Sequence, residues 1–585
     1  MKNDSEMISR LFFRLLPVQI LFVAIGSINS VIDGVLASNF IGPEAMTVTG
    51  LYMPFTKILE TINAVLLGGS QILCGQFLGK NQIERTKNVF SLDMALVIAA
   101  SLLFTAACFI FPNGVAGALG AKTGDLTGLR DYMLGMAAGI LPMLLGAQLS
   151  AFLQLEQQQK RTYIAIGVMM ALNAALDWLF IVALDWGMLG LGLATSISNW
   201  AFFLVLGSYY FTRKAAIRFE PKGIRIKDLG SIIKIGIPGA IVVLCLSLRG
   251  FALNALLLKY SGGAGVAALS ALNTFGGLLY AVTAGLASTT RLLVSVYAGE
   301  GDRVGIVQIM KTALLKGVPV VCAVALLVFL LAVPLTRVFY HDPASDVYRL
   351  TKLLFRIYPF CMPLSAICVI FINYFQSMSR MKIVHVLSVM DGIAGVCLVS
   401  FALAPLMGAP GVWIAHVASG VFTTAAVFIY AWIVRRGFPR GFGDLLALPN
   451  DFGVPPEMRL ALTVRSRDDV INASKGIIEF CRGVGVNEKH SYFAGLCLEE
   501  LASNVVEHGF GDGKPHSAEI RVVKKDDTLL LRVKDDCRAF DPKEAAEMMD
   551  PEDVTHNIGL RIVEKLAKRM YYNSAFGLNV ITIEL

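Results

Sequence analysis

Long apolar runs separated by short polar connections fill the chain up to about Arg436, and from about Pro455 the pattern changes to charged, amphipathic segments. A helix needs about 20 consecutive apolar residues to cross the hydrocarbon layer. Twelve such runs begin near residues 15, 51, 90, 131, 163, 188, 231, 266, 311, 353, 382 and 410. The stretch from Arg435 to Pro456 is rich in Gly, Pro and Arg, the composition of a linker. Beyond it Met458, Leu460, Leu462 and Val464 alternate as a strand. Helices are predicted over 466–483, 487–508 and 559–570, and further strands over 519–523, 529–534 and 579–585. Helices on one side of a mixed sheet make a two-layer α+β domain. The predicted fold is therefore an all-α polytopic membrane protein of twelve transmembrane helices in two six-helix lobes, joined to a C-terminal α+β two-layer sandwich.

The first six runs resemble the second six. Gly42 precedes Gly79 by 37 residues, and Gly262 precedes Gly299 by 37. Each second glycine opens a short polar connection, Gly79-Lys80-Asn81 in one half and Gly299-Glu300-Gly301-Asp302 in the other. Pro142 with Gln154 echoes Pro363 with Gln376, and Gly190 to Gly192 echoes Gly408 to Gly411. Two six-span repeats in the same orientation imply lobes related by an axis along the membrane normal, with a cavity between them. Transport by rocking lobes needs such a duplication, whereas a channel or receptor rarely does. The expected division is an N-lobe over 1–220, a C-lobe over 221–436, a linker over 437–456 and a final domain over 457–585.

Composition agrees: 55% of the 585 residues are hydrophobic and 16% charged, against about 25% charged in soluble domains. From Asn450 onward there are 23 acids and 18 bases, so the first 449 residues hold 33 bases against 20 acids, and the chain's net +8 comes wholly from them. Those bases cluster after even-numbered runs, at Lys80, Arg85 and Lys87, at Lys160 and Arg161, between Arg213 and Lys227, and at Arg303, Arg380, Lys382, Arg435 and Arg436. Such a bias sets orientation. It places both termini in the cytoplasm of a plasma-membrane protein and gives no reason to invoke nucleic acid. The 10 cysteines are scattered without metal-like spacing, so they read as small buried hydrophobes. Ser27 to Asp33 offers no small-x-small cleavage site for a signal peptide.

A carboxylate in the hydrocarbon region costs several kcal/mol unless it is paired or wetted, which marks it as functional. Asp33 falls in the first run. Asn173 and Asp177 fall in the fifth, four residues apart and so on one helical face. Thr195 falls in the sixth. Two carboxylates, an amide oxygen and a hydroxyl could hold a proton or an oxygen-coordinated cation such as Na⁺. The duplicated runs and these four residues resemble the multidrug and toxic compound extrusion (MATE) transporters over roughly residues 10–436. In that family an aspartate on helix one, Asn-x-x-x-Asp on helix five and a threonine on helix six form a cation site. The resemblance implies that Asp33, Asn173, Asp177 and Thr195 couple H⁺ or Na⁺ entry to export of small organic, cationic amphiphilic compounds. Some members keep carboxylates on helices seven and ten. Here those runs offer Arg249, Asn254 and Asn373, which favours coupling in the N-lobe. Asp391 has Arg249 or His385 as an expected partner, and Glu60 and Asp93 are expected at wet span ends. The abundant Phe, with Met143, Met169 and Met170, suits lipid contact or an apolar cavity wall.

In the final domain Glu500, Asn504 and His508 recur at i, i+4 and i+8, and so share a helical face. An amide oxygen can ligate Mg²⁺ held by a triphosphate, and a carboxylate one turn earlier can orient or deprotonate a hydroxyl. Asp535-Asp536-Cys537-Arg538-Ala539-Phe540-Asp541-Pro542 leaves a strand end, and the helix opening at Gly559 presents free amides suited to phosphate. These elements resemble the ATPase domain of anti-sigma-factor serine kinases, within the histidine-kinase/gyrase/Hsp90 superfamily, over about 457–585. The resemblance implies ATP and Mg²⁺ as cofactors, with Glu500 the catalytic base and Asn504 the metal ligand. It makes Asp535 the contact to the adenine amino group, and Gly559 part of the second nucleotide loop, with His508 beside them. The family's first loop reads Asp-x-Gly-x-Gly. Cys537 and Ala539 replace both glycines, and the second loop lacks its usual glycine near Asn557. Three readings follow: a cation-coupled exporter with a nucleotide-sensing or regulator-binding domain, a membrane-tethered serine kinase or anti-sigma-like protein with the helices as sensor, or a lipid-linked precursor flippase. Arg249 and Arg291 keep the last open.

Overall fold

A computed structural model describes residues 4–585 apart from 43, 120–125, 157, 213–214, 450–451, 512–515, 526, 538–557 and 576–577. The apolar runs become helices because only a helix satisfies its own backbone groups in hydrocarbon. The first half contains α1 (Asp4–Leu36), α2 (Glu44–Gly79), α3 (Ile83–Ile110), α4 (Pro112–Ala118), α5 (Leu126–Ala137), α6 (Ile140–Leu155), α7 (Gln159–Asp177) and α8 (Gly187–Gly207). The second contains α9 (Leu229–Gly299), α10 (Arg303–Lys311), α11 (Val318–Leu330), α12 (Ala332–Phe339), α13 (Asp346–Ile357), α14 (Cys361–Ser377), α15 (Met381–Val389), α16 (Gly395–Met407) and α17 (Ala409–Arg435). Among the described residues ten helices are long and apolar enough to cross a membrane, and α5 with α6 forms one further crossing bent by 45°. At 71 residues, α9 is far too long for one crossing. It breaks at Gly262 (φ 62°, ψ −161°) into two, which completes the twelve expected. The helices start up to eleven residues before the apolar runs, as with Asp4 against residue 15, because polar residues at the interface continue the same helix.

The duplication is visible in the backbone. Gly42 (φ 125°) and Gly262 (φ 62°) take positive φ, as do Asn81 (φ 57°) and Gly301 (φ 66°), and the members of each pair stand 220 residues apart. The two halves meet most tightly where α2 ends. There Gly69 lies on the Ile232 carbonyl, Gly75 on Ser295, Gly79 on the Val296 carbonyl, Gly236 on the Val65 carbonyl and Gly299 on the Gln76 carbonyl, each too close for a Cβ. Hydrogen bonds cross the same contact, from Gln76 Nε2 to the Ser377 carbonyl (2.8 Å) and from Arg291 Nε to Gln71 Oε1 (3.0 Å). Toward the other end, a Cβ at Gly50, Gly250 or Gly276 would meet nothing within 4 Å. The halves are therefore pinched together where α2 ends.

The stretch expected to be a linker is held against the helices. It contains α18 (Phe442–Leu445), buries Leu446 and Leu448, and is pinned by Tyr374 Oη donating to the Leu446 carbonyl (2.9 Å) and by Arg303 donating to the Pro449 carbonyl (2.7 Å). The final domain follows with β1 (Arg459–Val464), α19 (Arg467–Gly483), α20 (Glu488–Asn504), β2 (Ala518–Lys525), β3 (Thr528–Asp535), α21 (Ile558–Leu566), β4 (Arg569–Ala575) and β5 (Leu578–Glu584). Ser466 caps α19, and Asp469 returns the bond in a capping box. The sheet order is β1-β2-β3-β5-β4. Every pairing is antiparallel, so the sheet is not mixed as expected. The last helix stops earlier than its predicted end, because Arg569-Met570-Tyr571-Tyr572 pairs with β5 as β4; aromatic residues favour a pleated surface.

Register sorts the two faces of this sheet. The row Ile520–Val533–Ile581–Tyr572 points toward the helices, and Ile520, Val533 and Ile581 join Ile477, Leu498 and Val563 in the domain core. The alternate rows, Glu519–Lys534–Val580–Asn573 and Arg521–Arg532–Thr582–Tyr571, point the other way. That face is also covered: Leu578 and Val580 belong to the hydrophobic core of the helical part.

Gly299→Val is expected to wedge the pinched helices apart, since its side chain meets the backbone of Gln76. Over-packing of this kind typically costs about 1–3 kcal/mol, so the melting temperature in detergent should fall by several degrees. An unchanged melting temperature would show that the helices part there freely.

Candidate functional site

Asp33 lies four residues before a π-helical turn, Ala37–Ile41, and Asp177 is the last α-helical residue before another, Trp178–Ala183. Single π turns recur at functional positions because they displace side chains from helical register. The structure brings the Asp33 and Asp177 carboxyl groups face to face. Asp177 is fully buried and Asn173, one turn earlier, is 2% exposed. Among the described residues no donor reaches Asp33 Oδ1 or either oxygen of Asp177, and no acceptor reaches Asn173 Nδ2. Thr195 turns its hydroxyl to the Leu191 carbonyl of its own helix (3.2 Å). A residue that sequence reasoning missed, Tyr132 on α5, faces both carboxyl groups. Its ring packs edge-on against Tyr52 at 5.2 Å. The sequence offered only a tyrosine in an apolar run as its signal.

Two unit negative charges about 4 Å apart repel by about 4 kcal/mol at an effective dielectric of 20. An Asp33–Asp177 pair without donors is therefore relieved by one proton or one oxygen-ligated cation placed between its oxygens. The remaining acids differ. Glu60 pairs with Lys57 at 2.6 Å on an exposed face midway along α2, not at the span end expected for it. Asp93 does not occupy the wet span end expected for it; it is fully buried in α3, and neither oxygen has a hydrogen-bond donor among the described residues. The α3 helix begins at Ile83, seven residues before the apolar run, which draws Asp93 into the packed part of the bundle. Asp391 lies in a third π turn, Met390–Ala394, and its carbonyl accepts from Arg249 (3.3 Å). Arg291 sits in the pinched contact between the halves.

In the final domain α20 carries Glu500 and ends on Asn504, and a π turn, Val505–Gly509, follows with His508 exposed. Glu500 reaches across to α21. The Glu500 carboxylate takes the space that a Cβ on Gly559 would occupy. Asp535 ends β3 on the helix side of the sheet and is 2% exposed. Its Oδ1 accepts from Asn579 Nδ2 (2.8 Å) and from the Cys537 amide (3.0 Å). Burial pushes the Asp535 carboxyl above its ordinary range, and those two bonds pull the other way. Asn579 is a second residue the sequence reading missed, since a polar residue at a strand end carries no signal of its own. The Cys537 thiol lies against Gly509, packing the first loop onto the π turn. Beside it His516 Nδ1 pairs with Asp536 Oδ1 at 3.0 Å. Ala539 and Asn557, with the loop between them, lie outside the described residues. Glu500 thus meets the start of α21, and Asp535 lies buried at the end of β3 with Asn579 and the Cys537 amide as its donors.

The MatE family model matches residues 19–179 and 238–406, and the model of the histidine kinase-like ATPase domain matches residues 465–585. The Multidrug export protein MepA of Staphylococcus aureus is 23% identical over 414 residues, covering 69% of this chain and 90% of its own. The protein of the same name from Staphylococcus saprophyticus is 22% identical over 412 residues, with the same shares. A solved structure of a MATE transporter in complex with MaL6 matches with a TM-score of 0.68 at 20% identity, over 72% of this chain and 95% of its own. A mutant of the Vibrio cholerae MATE transporter VcmN gives 0.68 at 17% identity, over 74% and 98%. The helical part therefore has the MATE fold.

Gly559→Ala is expected to push the Glu500 carboxylate away from α21. The melting transition of the final domain should be weakened by about 0.5–1.5 kcal/mol, the cost of a displaced rotamer. Adding Glu500→Ala removes the obstructing group and should recover part of the loss. Additive losses in the double variant would show that the two residues do not meet.

Proposed function

The chain belongs to the MatE family, and we propose that it is a multidrug efflux transporter of the plasma membrane. In this reading it exchanges H⁺ or Na⁺ for small organic, cationic amphiphilic compounds. Residues 1–220 form the N-lobe and 221–436 the C-lobe. Residues 437–456 connect to a cytosolic domain at 457–585, and both termini lie in the cytoplasm, as the distribution of basic loops indicates. The observation that carries the reading is the Asp33–Asp177 pair with its unpartnered oxygens. A bundle core does not keep two facing carboxyl groups short of donors for stability's sake. The carbonyl oxygen of Asn173 and the hydroxyl lone pairs of Thr195 add neutral ligands of the kind that a proton or a small cation accepts. The coupling ion then removes a repulsion from inside one lobe, and its entry and loss change which packing of α1 against α7 is favoured.

Multidrug export is the activity named for the staphylococcal MepA relatives, and it is transferred here as a proposal. The cytosolic domain is read as a nucleotide sensor. Asn504 would hold Mg²⁺, Glu500 would act as the base toward a bound hydroxyl or water, Asp535 would contact the adenine, and His508 and Gly559 would complete the pocket. ATP and Mg²⁺ supply the ligand for sensing; the ion gradient supplies the driving force for export.

Asp33→Asn and Asp177→Asn should each abolish efflux driven by a pH or sodium gradient in proteoliposomes while the protein still inserts. Undiminished efflux by both would remove the coupling site. Asn504→Ala in the full chain should abolish magnesium-dependent ATP binding measured by calorimetry. No binding by the unsubstituted protein would remove the nucleotide reading and leave the transporter reading standing.

A further inference from the structure

The sheet of the final domain has a second face that carries cations where a solvated surface would be expected, and three of them, Arg521, Arg532 and Lys534, meet the helical part. Arg532 NH1 lies 3.1 Å and Lys534 Nζ 2.6 Å from Glu300 Oε2, with all three side chains 12% exposed or less. Arg521 pairs with Asp302. Lys534 also sits over the Tyr297 ring at 4.2 Å. Burial pushes the Asp302 carboxyl up, but Arg521 and Lys534 beside it hold it below the ordinary carboxylate range. Glu300 and Asp302 belong to the connection that follows α9, in the second half. The first half is held as well: Asn573 Nδ2 donates to the Leu78 carbonyl (3.2 Å) at the end of α2, and Arg10 of α1 donates to Ser517 Oγ (3.3 Å) and lies 3.8 Å from Asp536.

The two sites gripped in this way, the end of α2 and the connection after α9, flank the repeated glycine pair Gly79 and Gly299. Those glycines are packed on the opposing helix at the pinched end. The domain can therefore hold both sites only while the lobes are together on its side. Separating Gly79 from Gly299 would carry Leu78 and Glu300 apart, and a rigid five-stranded sheet cannot follow both.

We propose that the cytosolic domain is an intramolecular latch on the cytoplasmic gate, with this face of its sheet binding the end of α2 and the connection after α9 in the closed position and releasing at least one before that side opens. The latch rests on the transporter reading for its meaning. It stabilises the conformation closed to the cytoplasm, and it adjoins the nucleotide pocket. Lys534, Asp535 and Asp536 are consecutive: the first grips Glu300, the second accepts from Asn579 inside the domain, and the third meets Arg10. A change at Asp535 thus reaches both anchors through one strand end.

Hydrogen exchange on full-length protein in lipid nanodiscs tests the latch without substrate, nucleotide or gradient, so latch and transport can fail separately. Glu300→Lys alters the helical part and leaves the domain sequence intact; retained protection of 467–483 reports that the domain is folded. Amides of 79–86 and 299–305 are expected to exchange about tenfold faster than in the parent, the signature of more frequent opening. Adding Arg532→Glu and Lys534→Glu should return them toward the parent rate. Arg10→Glu, at the other lobe, gives an independent disruption with the same expected direction. Exchange at the parent rate in both Glu300→Lys and Arg10→Glu overturns the latch. So does faster exchange in Glu300→Lys that the reversed partners leave unrestored while 467–483 stays protected.

Discussion

A carboxylate in hydrocarbon is tolerated only when a donor or a cation reaches it, and Asp177 has neither among the described residues while a second carboxyl group faces it. That unmet requirement constrains the first lobe. The pair comes from α1 and α7, so whatever satisfies it ties those two helices together, and whatever leaves loosens them. Both helices pass into π turns next to the acid, and the two turns are placed to meet each other. A π turn breaks the rigid hydrogen-bond register of a helix, so each helix can change its packing beyond the acid without unwinding through the bilayer.

The far side of this lever is the pinched contact between the halves. Four glycines there allow backbone to lie on backbone, with carbonyl groups occupying the space a Cβ would take, and a fifth, Gly75, admits the Ser295 side chain. Such a contact is bistable by construction. Helices packed at that distance gain dispersion over their whole length or lose it once they part, because attraction falls away within about an ångström of the optimum. In the proposed function, cation occupancy in one lobe would thus be converted into a separation of two lobes and not into a graded deformation.

Much of this was legible in the chain. The period-free apolar runs, the 37-residue glycine spacing, the four polar residues of the N-lobe and the Glu-x-x-x-Asn helix all carry their signal locally. What was not legible depends on contact between distant segments. Arg521, Arg532 and Lys534 alternate with apolar residues as any half-solvated strand would, and nothing in the strand says that its polar side faces Glu300 and Asp302 more than 200 residues away. Likewise the Gly- and Pro-rich stretch after Arg435 has the composition of a free linker, yet Leu446 and Leu448 bury themselves against the helices. Asp93 looked like a span-end residue because α3 was read as starting seven residues late. Tyr132 and Asn579 are ordinary residues for their elements, made notable only by the carboxyl groups that the fold places beside them.

The chemistry of the interface between the two parts explains why it can be temporary. An obligate contact is built mainly from apolar area, whereas this one joins Leu578 and Val580 to three cations and two acids. Ion pairs out of water gain little net free energy over what desolvation costs, but removing one partner from such a pair is expensive because its mate is left unpaired. The contact therefore has a narrow choice between fully made and fully rehydrated, which favours a concerted release over gradual slippage. Long charged side chains recover their hydration on release, as an apolar face does not. A sheet face built for permanent burial would have extended the Leu578–Val580 patch across β3 and β2. The placement of Arg532, Lys534 and Arg521 there gives specificity for the two acidic connections and keeps the separated surface soluble.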